Sequence, residues 1–382
     1  MSRLGDLVAG STSCMMSVWN ASTQPYTLRS FVSNLRAVLI VILVLFEPGL
    51  AAQSNSVLEV RGRWVVGQDG QPTPKVVFRR GLQPSGLVYG DDHLWSVGDQ
   101  RGDYAGHIFS IDPKTARLIG EPQKLKLHGA FALQEQAQIY ASIRNSDFEG
   151  LSRHPTQERI LFAITEDKVP WLVEIQRTDD GGGAITQLSP LQFPSGLEPW
   201  RRDTNFRAEG LTVSTNGTKL YLAFERATDN LPRILSAPVR ERAPGEPVTL
   251  TEVVLPFTSV ERRKDKPRAR LNLNGLQCMH VGERELLLGL ARDQERLLVM
   301  NPKRRTIDRV IDLVLLGPAG ERIKWVSPEG LAANVESECV WIINDPDSVR
   351  GNYRRDDADA AEGRFAEFTP ILFELPISAL SL

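Results

Sequence analysis

The fold is decided by the stretch from Glu209 to Phe224, which reads EGLTV-STNGT-KLYLAF. Two short segments rich in residues that favour strands flank a polar turn containing Asn216-Gly217. An Asn-Gly pair between such segments is the strongest short signal for a β-hairpin. Neither segment has the length or the 3.6-residue spacing of a helix. The stretch therefore predicts two antiparallel strands, the first of which begins at a Glu-Gly-Leu phrase.

The Gly-Leu phrase recurs at intervals of roughly 60 residues, and such self-similarity indicates stacked supersecondary units. Its five copies are Ser85-Gly86-Leu87, Glu149-Gly150-Leu151, Glu209-Gly210-Leu211, Asn274-Gly275-Leu276 and Glu329-Gly330-Leu331. In each unit, second and third strand-like segments follow the phrase. The pattern predicts an all-β fold, a β-propeller with five blades, and six blades are the alternative. We expect an N-terminal strand, residues 75–79, to pair with the C-terminal strand, residues 371–375, and close the ring.

The residue before each glycine predicts a polar ring. Packing explains the glycine and the leucine, but glutamate is rarely buried without a partner. Symmetry about an axis brings equivalent positions together, so these side chains should meet at one end of a central channel. The charged residues that end the second strands should open on the same face. The resulting candidates are Glu149, Glu209, Asn274, Glu329, Glu166, Glu225 and Asp345.

Two interpretations of this ring remain open. Desolvated carboxylates repel one another, and a hard cation such as Ca²⁺, which takes six to eight oxygen ligands, would offset that repulsion. Alternatively, arginines such as Arg226 and Arg292 pair with the glutamates and the ring is a structural ion-pair network. No catalytic residue is identified, because the sequence contains none of the common nucleophile-elbow, zinc-protease or phosphate-loop motifs.

The first 52 residues are typical of a targeting segment rather than of a folded domain. Arg29 and Arg36 precede an apolar run, residues 37–46, and small residues follow up to Ala52. A positive region, a short apolar run and small residues are typical of a signal peptide. The alternative is a retained N-terminal anchor, which would be the protein's one membrane contact. We expect residues 53–382 to form a single propeller domain in the periplasm or outside the cell.

Composition narrows the partners. The net charge is −2, and the run from Glu261 to Arg270 mixes both signs, which indicates a solvated loop and excludes nucleic-acid binding. Cys278 and Cys339 either form a disulfide or remain as two free thiols. We expect a monomer whose partner is a small molecule or an envelope component.

Three units resemble a known family. Residues 147–151 with 160–167, residues 207–211 with 219–226, and residues 327–331 resemble blades of the phytase-like, or esterase-like, family of bacterial exported propellers. They are also similar to the gluconolactonase type, whose divalent-metal site is built from channel carboxylates and asparagine. The resemblance implies hydrolysis of phosphate or carboxylic esters with Ca²⁺. The sequence departs from the family pattern at Ser85 and Asn274, where glutamate is missing.

The sequence leaves two functions open. The first is a Ca²⁺-assisted hydrolase whose ring of carboxylates holds the metal. The second is a non-enzymatic propeller that binds a protein, a glycan or an envelope ligand on one face.

Overall fold

Strands dominate the computed structural model, which describes residues 56–71, 81–99, 104–128, 147–166, 169–197, 208–227, 229–243, 245–323, 326–346 and 369–382. The predicted leader, residues 1–52, and the predicted closing strand, residues 75–79, lie outside these residues. Contacts group Ala52–Leu382 as one compact unit. In the described part of the chain, no helix has the length and apolar character needed to cross a membrane.

The strands in chain order are β1 Ser56–Trp64, β2 Pro84–Gly90, β3 His93–Gly98, β4 His107–Asp112, β5 Arg117–Leu118, β6 Gln123–Lys124, β7 Lys126–Leu127, β8 Phe148–Arg153, β9 Ile160–Thr165, β10 Trp171–Arg177, β11 Gly183–Gln192, β12 Ala208–Val213, β13 Lys219–Phe224, β14 Arg233–Pro238, β15 Val248–Thr249, β16 Thr251–Val253, β17 Gly275–Val281, β18 Arg284–Ala291, β19 Arg296–Asn301, β20 Thr306–Leu316, β21 Pro328–Asn334, β22 Cys339–Asn344 and β23 Ile371–Pro376. Two short 3-10 helices are Phe257–Ser259 and Ile377–Leu380.

Each Gly-Leu phrase starts the first strand of an antiparallel meander, as predicted. The meanders are β2-β3-β4 with β5 and β6, β8-β9-β10-β11, β12-β13-β14-β16, β17-β18-β19-β20 and β21-β22-β23-β1. The middle strands are almost fully buried because apolar side chains on both faces pack against neighbouring sheets. The prediction of an all-β chain is confirmed.

The first strands contact one another in cyclic order, β2 to β8 to β12 to β17 to β21 and back to β2. The glycine of each phrase permits this approach, because an added Cβ would collide with the next strand. The shortest distances from the added Cβ to an atom of the next strand are 2.3 Å from Gly86 to Leu151 N, 2.6 Å from Gly150 to Leu211 N, 2.9 Å from Gly210 to Leu276 N, 2.9 Å from Gly275 to Leu331 Cβ and 2.8 Å from Gly330 to Leu87 Cβ. A closed cycle of sheets in this order is a propeller-type arrangement.

The N- and C-terminal strands pair, as predicted, and β1 is the N-terminal strand that does so. Strand β1 pairs antiparallel with β23, and its first part runs parallel to β20. Residues 75–79, which the sequence predicts for this place, lie outside the described residues. A nine-residue strand is long enough to cover two sheet edges at once, and this removes both from solvent.

The structure also answers two smaller predictions, one on the cysteines and one on the charged run 261–270. Cys278 and Cys339 are free thiols, the first of them buried. The charged run 261–270 is not simply a solvated loop, since the Arg263 side chain is only 5% exposed. Its guanidinium is inserted beneath the loop, where it donates to backbone carbonyls.

Candidate functional site

The residues that precede the phrase glycines are buried at the centre of the cycle of first strands. Ser85, Glu149, Glu209, Asn274 and Glu329 are each at most 7% exposed. Register shifts interrupt four of the five first strands at this point, and such bulges re-aim side chains next to functional sites. The negative charges of Glu209 and Glu329 both raise the pKa of Glu149, which requires all three side chains to lie near one another. The structure therefore brings the three predicted glutamates together.

A second layer lies two residues before the glutamate in two of the units. The backbone carbonyl of Asp147 accepts a hydrogen bond from Glu166 N at 2.8 Å, and that of Ser327 accepts one from Asp345 N at 3.0 Å. These bonds fix the ends of the second strands beside the starts of the first strands. Asp147 is only 5% exposed and joins the ring, although the sequence analysis did not select it. The signal was present, because side chains two apart on a strand share a face.

One side of the ring is an ion-pair network, which we call the arginine arc: Glu225, Arg292 and Glu329. Arg292 Nη1 donates to Glu329 Oε1 at 2.6 Å, and Nη2 donates to Glu225 Oε1 at 3.2 Å. Asn272 Nδ2 also donates to Glu225 Oε1, at 3.1 Å. On this side the guanidinium compensates the charge of the buried carboxylates, as the structural interpretation of the sequence expected.

The other side is a cluster of acids, which we call the carboxylate arc: Asp147, Glu149 and Glu166. One carboxylate oxygen from each lies within 4.8 Å of the other two. Burial raises the pKa of Glu149 most, and the charges of the neighbouring carboxylates raise it further. The ion-pair interpretation therefore describes the arginine arc, and the carboxylate arc is the part of the ring to which the metal prediction refers.

Glu209 and Asn274 connect the two arcs. Asn274 Nδ2 donates to Glu209 Oε2 at 3.2 Å, while Glu209 interacts electrostatically with Glu225, Arg292 and Asp147. Within the described part of the chain, two buried acceptor atoms of the ring, Asn274 Oδ1 and Glu329 Oε2, receive no hydrogen bond. Carboxylate and amide oxygens without donors are the ligands that Ca²⁺ prefers, so the donor set fits this ion.

The predicted set is therefore distributed over the whole ring. Glu149 and Glu166 lie in the carboxylate arc, Glu225 and Glu329 in the arginine arc, and Asp345 acts electrostatically on Glu329. Whether these residues bind a metal stays a prediction. Other charged residues near the ends of second strands, such as Arg101, Asp167 and Asp347, lie outside the described residues.

Burial raises the pKa values of the ring glutamates. Desolvation, with Glu225 adding to it and Arg292 opposing it, raises the pKa of Glu209 to about 8. Desolvation opposed by Arg292 raises the pKa of Glu329 to about 7. For Glu149, desolvation and the nearby carboxylates raise the pKa well above its usual value of 4.5. Glu149 and Glu209 therefore retain protons near neutral pH unless a cation replaces them.

The metal-free protein should become less stable as pH rises from about 4.5 to about 8. In this window the unfolded chain ionises its glutamates while the folded chain keeps them protonated, so the stabilisation present below pH 4.5 is lost. We expect a fall of at least about 1 kcal/mol per pH unit in the free energy of unfolding, measured by urea denaturation with a chelator. Glu209→Gln should reduce this slope. A stability that stays constant or rises over the same window would contradict the burial of these protons.

Replacing Arg292 should strongly destabilise the metal-free protein. Arg292→Gln leaves Glu225 and Glu329 buried without their guanidinium, and breaking such a pair costs about 3–5 kcal/mol. The loss should be smaller near pH 5, where Glu329 accepts a proton. The matched control is Arg159→Gln, because the pair of Arg159 with Asp179 is exposed and is worth about 1 kcal/mol or less. Equal losses in the two variants, measured by denaturation, would show that the arginine arc is not desolvated.

The family model described as "Phytase-like: Esterase-like activity of phytase" matches residues 81–333, which is more than half of the chain. Among solved structures, glutaminyl cyclase from Myxococcus xanthus is 13% identical, with a TM-score of 0.41, over 75% of this chain and 93% of its own. A protein of unknown function from Bacteroides thetaiotaomicron is 8% identical, with a TM-score of 0.39, over 74% and 58%. Hydrazine synthase from Kuenenia stuttgartiensis is 10% identical, with a TM-score of 0.34, over 72% and 58%. No curated protein sequence matches the chain significantly.

Proposed function

The chain belongs to the phytase-like family, and from this premise we propose that it is a Ca²⁺-assisted hydrolase of phosphate or carboxylic esters. The single observation that carries the proposal is the carboxylate arc. Asp147, Glu149 and Glu166 offer oxygens within 4.8 Å of one another, close enough for a single cation to contact all three.

Each part of the ring has a distinct role in this proposal. Asp147, Glu149 and Glu166 would hold the cation, and Asn274 Oδ1 is a further oxygen of the ring without a donor. When bound, the ion would supply Lewis-acid polarisation of a phosphoryl or carbonyl oxygen. Arg292 would position Glu225 and Glu329 by donating to one oxygen of each.

Glu209 is the group suited to proton transfer. Its pKa of about 8 keeps the carboxyl protonated at neutral pH, and Asn274 Nδ2 orients it through Oε2. A positioned carboxyl that holds a proton near pH 7 can protonate the leaving oxygen of an ester. Glu209→Gln should therefore lower kcat more than it changes KM, whereas loss of a binding contact would mainly raise KM.

We propose five blades and export from the cytoplasm. The cyclic contacts of the five first strands and the pairing of β1 with β23 support the blade number. The sequence of residues 1–52 supports export, and Ca²⁺ is more available outside the cytoplasm. Cell fractionation of a C-terminally tagged protein, followed by N-terminal sequencing, tests this part of the proposal. We expect the protein in the exported fraction, with an N-terminus created by cleavage near residue 52. Retention of the full-length chain in the cytoplasm would contradict it.

Hydrolysis of p-nitrophenyl phosphate and p-nitrophenyl acetate tests the activity. With Ca²⁺ present, the wild-type protein should hydrolyse at least one of them, and chelation or Glu149→Gln should reduce the rate by about 100-fold or more. Glu374→Gln, on an exposed pair with Arg63, is the control and should keep the wild-type rate. Ca²⁺ binding without turnover of either ester would favour the alternative, a propeller that binds a ligand without reacting.

A further inference from the structure

A pocket lies outside the ring, beneath the loop formed by residues 263–269. It has a volume of about 420 Å³, which is within the range of small-molecule sites. We call it the loop pocket. Its lining residues include none of the ring carboxylates, so it is not part of the candidate ester site.

The loop over this pocket is fixed by a buried arginine. Arg263 Nη1 donates to the carbonyl oxygens of Gln294 at 3.1 Å, Glu295 at 3.0 Å and Leu313 at 2.7 Å. Its Nε donates to Asp265 at 2.7 Å. These hydrogen bonds from the Arg263 guanidinium hold the loop in place. The pocket is therefore formed before any ligand enters.

The floor of the loop pocket is apolar. Leu315 and Ile323 are buried, and Val314 is half-buried beside them. Ala269 and Pro267 add apolar surface from the loop itself. Such a floor gains free energy when it covers an apolar group of a ligand, by about 25 cal/mol per Å² of apolar surface removed from water.

The rim of the loop pocket is positively charged. Lys266 Nζ lies 2.6 Å from Glu295 Oε1, and Arg263 pairs with Asp265, so these four charges compensate one another. Arg322 reaches Asp265 only at 3.8 Å, and its side chain is 72% exposed. Arg268 is exposed on the same rim. The pocket therefore retains a positive balance beside an apolar floor.

We propose that the loop pocket binds a small ligand with one anionic head group and an apolar body. The head group, a carboxylate or a phosphonate-like anion, would lie against the guanidinium groups of Arg268 and Arg322, which match such anions geometrically. The body would cover Val314, Leu315 and Ile323. This inference uses no residue of the ring and does not depend on the proposed ester hydrolysis.

Calorimetric titration with four matched aromatic probes tests the inference: benzoate, phenylphosphonate, benzyl alcohol and benzylamine. A chelator keeps Ca²⁺ from the ring and so limits anion binding there. Benzoate or phenylphosphonate should bind saturably, and the stronger of the two identifies the preferred head group. Benzyl alcohol and benzylamine should bind at least about tenfold more weakly, a difference of about 1.4 kcal/mol.

The matched variants locate the binding site. The double variant Arg268→Glu/Arg322→Glu should weaken anion binding at least about tenfold, whereas Arg262→Glu, which directly precedes the loop and does not line the pocket, should leave the affinity unchanged. Both changes lie on exposed side chains and should leave the melting temperature near that of the wild type. Absence of saturable anion binding, equal binding of benzoate and benzylamine, or equal loss in the double variant and in Arg262→Glu would overturn the proposal.

Discussion

Gly86→Ala is expected to prevent stable folding or to lower the free energy of unfolding by about 3 kcal/mol or more. The added Cβ would lie 2.3 Å from Leu151 N and 2.8 Å from Gly150 C. Both atoms belong to backbone, so the two first strands must separate, and the other contacts of the cycle must change with them. Overpacking of a core by single methyl groups already costs about 1–3 kcal/mol. Thermal and urea denaturation measure the loss.

Gly90→Ala is the matched control for this prediction. Gly90 ends the same strand, and its added Cβ would contact only side-chain atoms of Arg153, which can move. We expect this variant to lose much less stability than Gly86→Ala. Similar stability in the two variants would mean that close approach of the first strands does not select the phrase glycine.

Deletion of residues 370–382 is expected to abolish cooperative folding. It removes β23, whose Ile371, Leu372 and Phe373 side chains are fully buried. Their burial contributes about 1.5–3 kcal/mol each, which together approaches the whole stability of many domains. The deletion also exposes the edges of β22 and β1, which pair with β23 on either side.

The control is deletion of Leu382 alone, which leaves β23 and the short helix Ile377–Leu380 complete. This variant should melt cooperatively, with a midpoint near that of the full chain. If the longer truncation remained soluble and melted at the same temperature, the closure by β1 and β23 would not stabilise the protein.

The repeated phrase predicts the strands because it combines local signals that agree. Asn216-Gly217 fixes a hairpin, and the phrase glycine fixes the start of a first strand in every unit. The closing strand is not predictable in the same way. Strand β1 takes this place because it reaches two sheet edges, and that is a property of the assembled sheets.

The candidate site is predictable only as far as symmetry holds. Shared position in the repeat correctly brings Glu149, Glu209 and Glu329 together, because an axis turns equal position into proximity. The division into two arcs breaks this symmetry. A single residue, Arg292, replaces the acid found at the equivalent position of other units, and it forms ion pairs with Glu225 and Glu329.

Calorimetric titration of Ca²⁺ into the full-length protein tests the central claim most directly. The carboxylate arc predicts saturable binding that Glu149→Gln abolishes and that Glu374→Gln leaves unchanged. Since Glu149 must lose its proton as the ion enters, binding should also release protons near pH 7, seen as a dependence of the heat on the buffer. Absence of Ca²⁺ binding, or binding of equal strength in Glu149→Gln, would contradict the account.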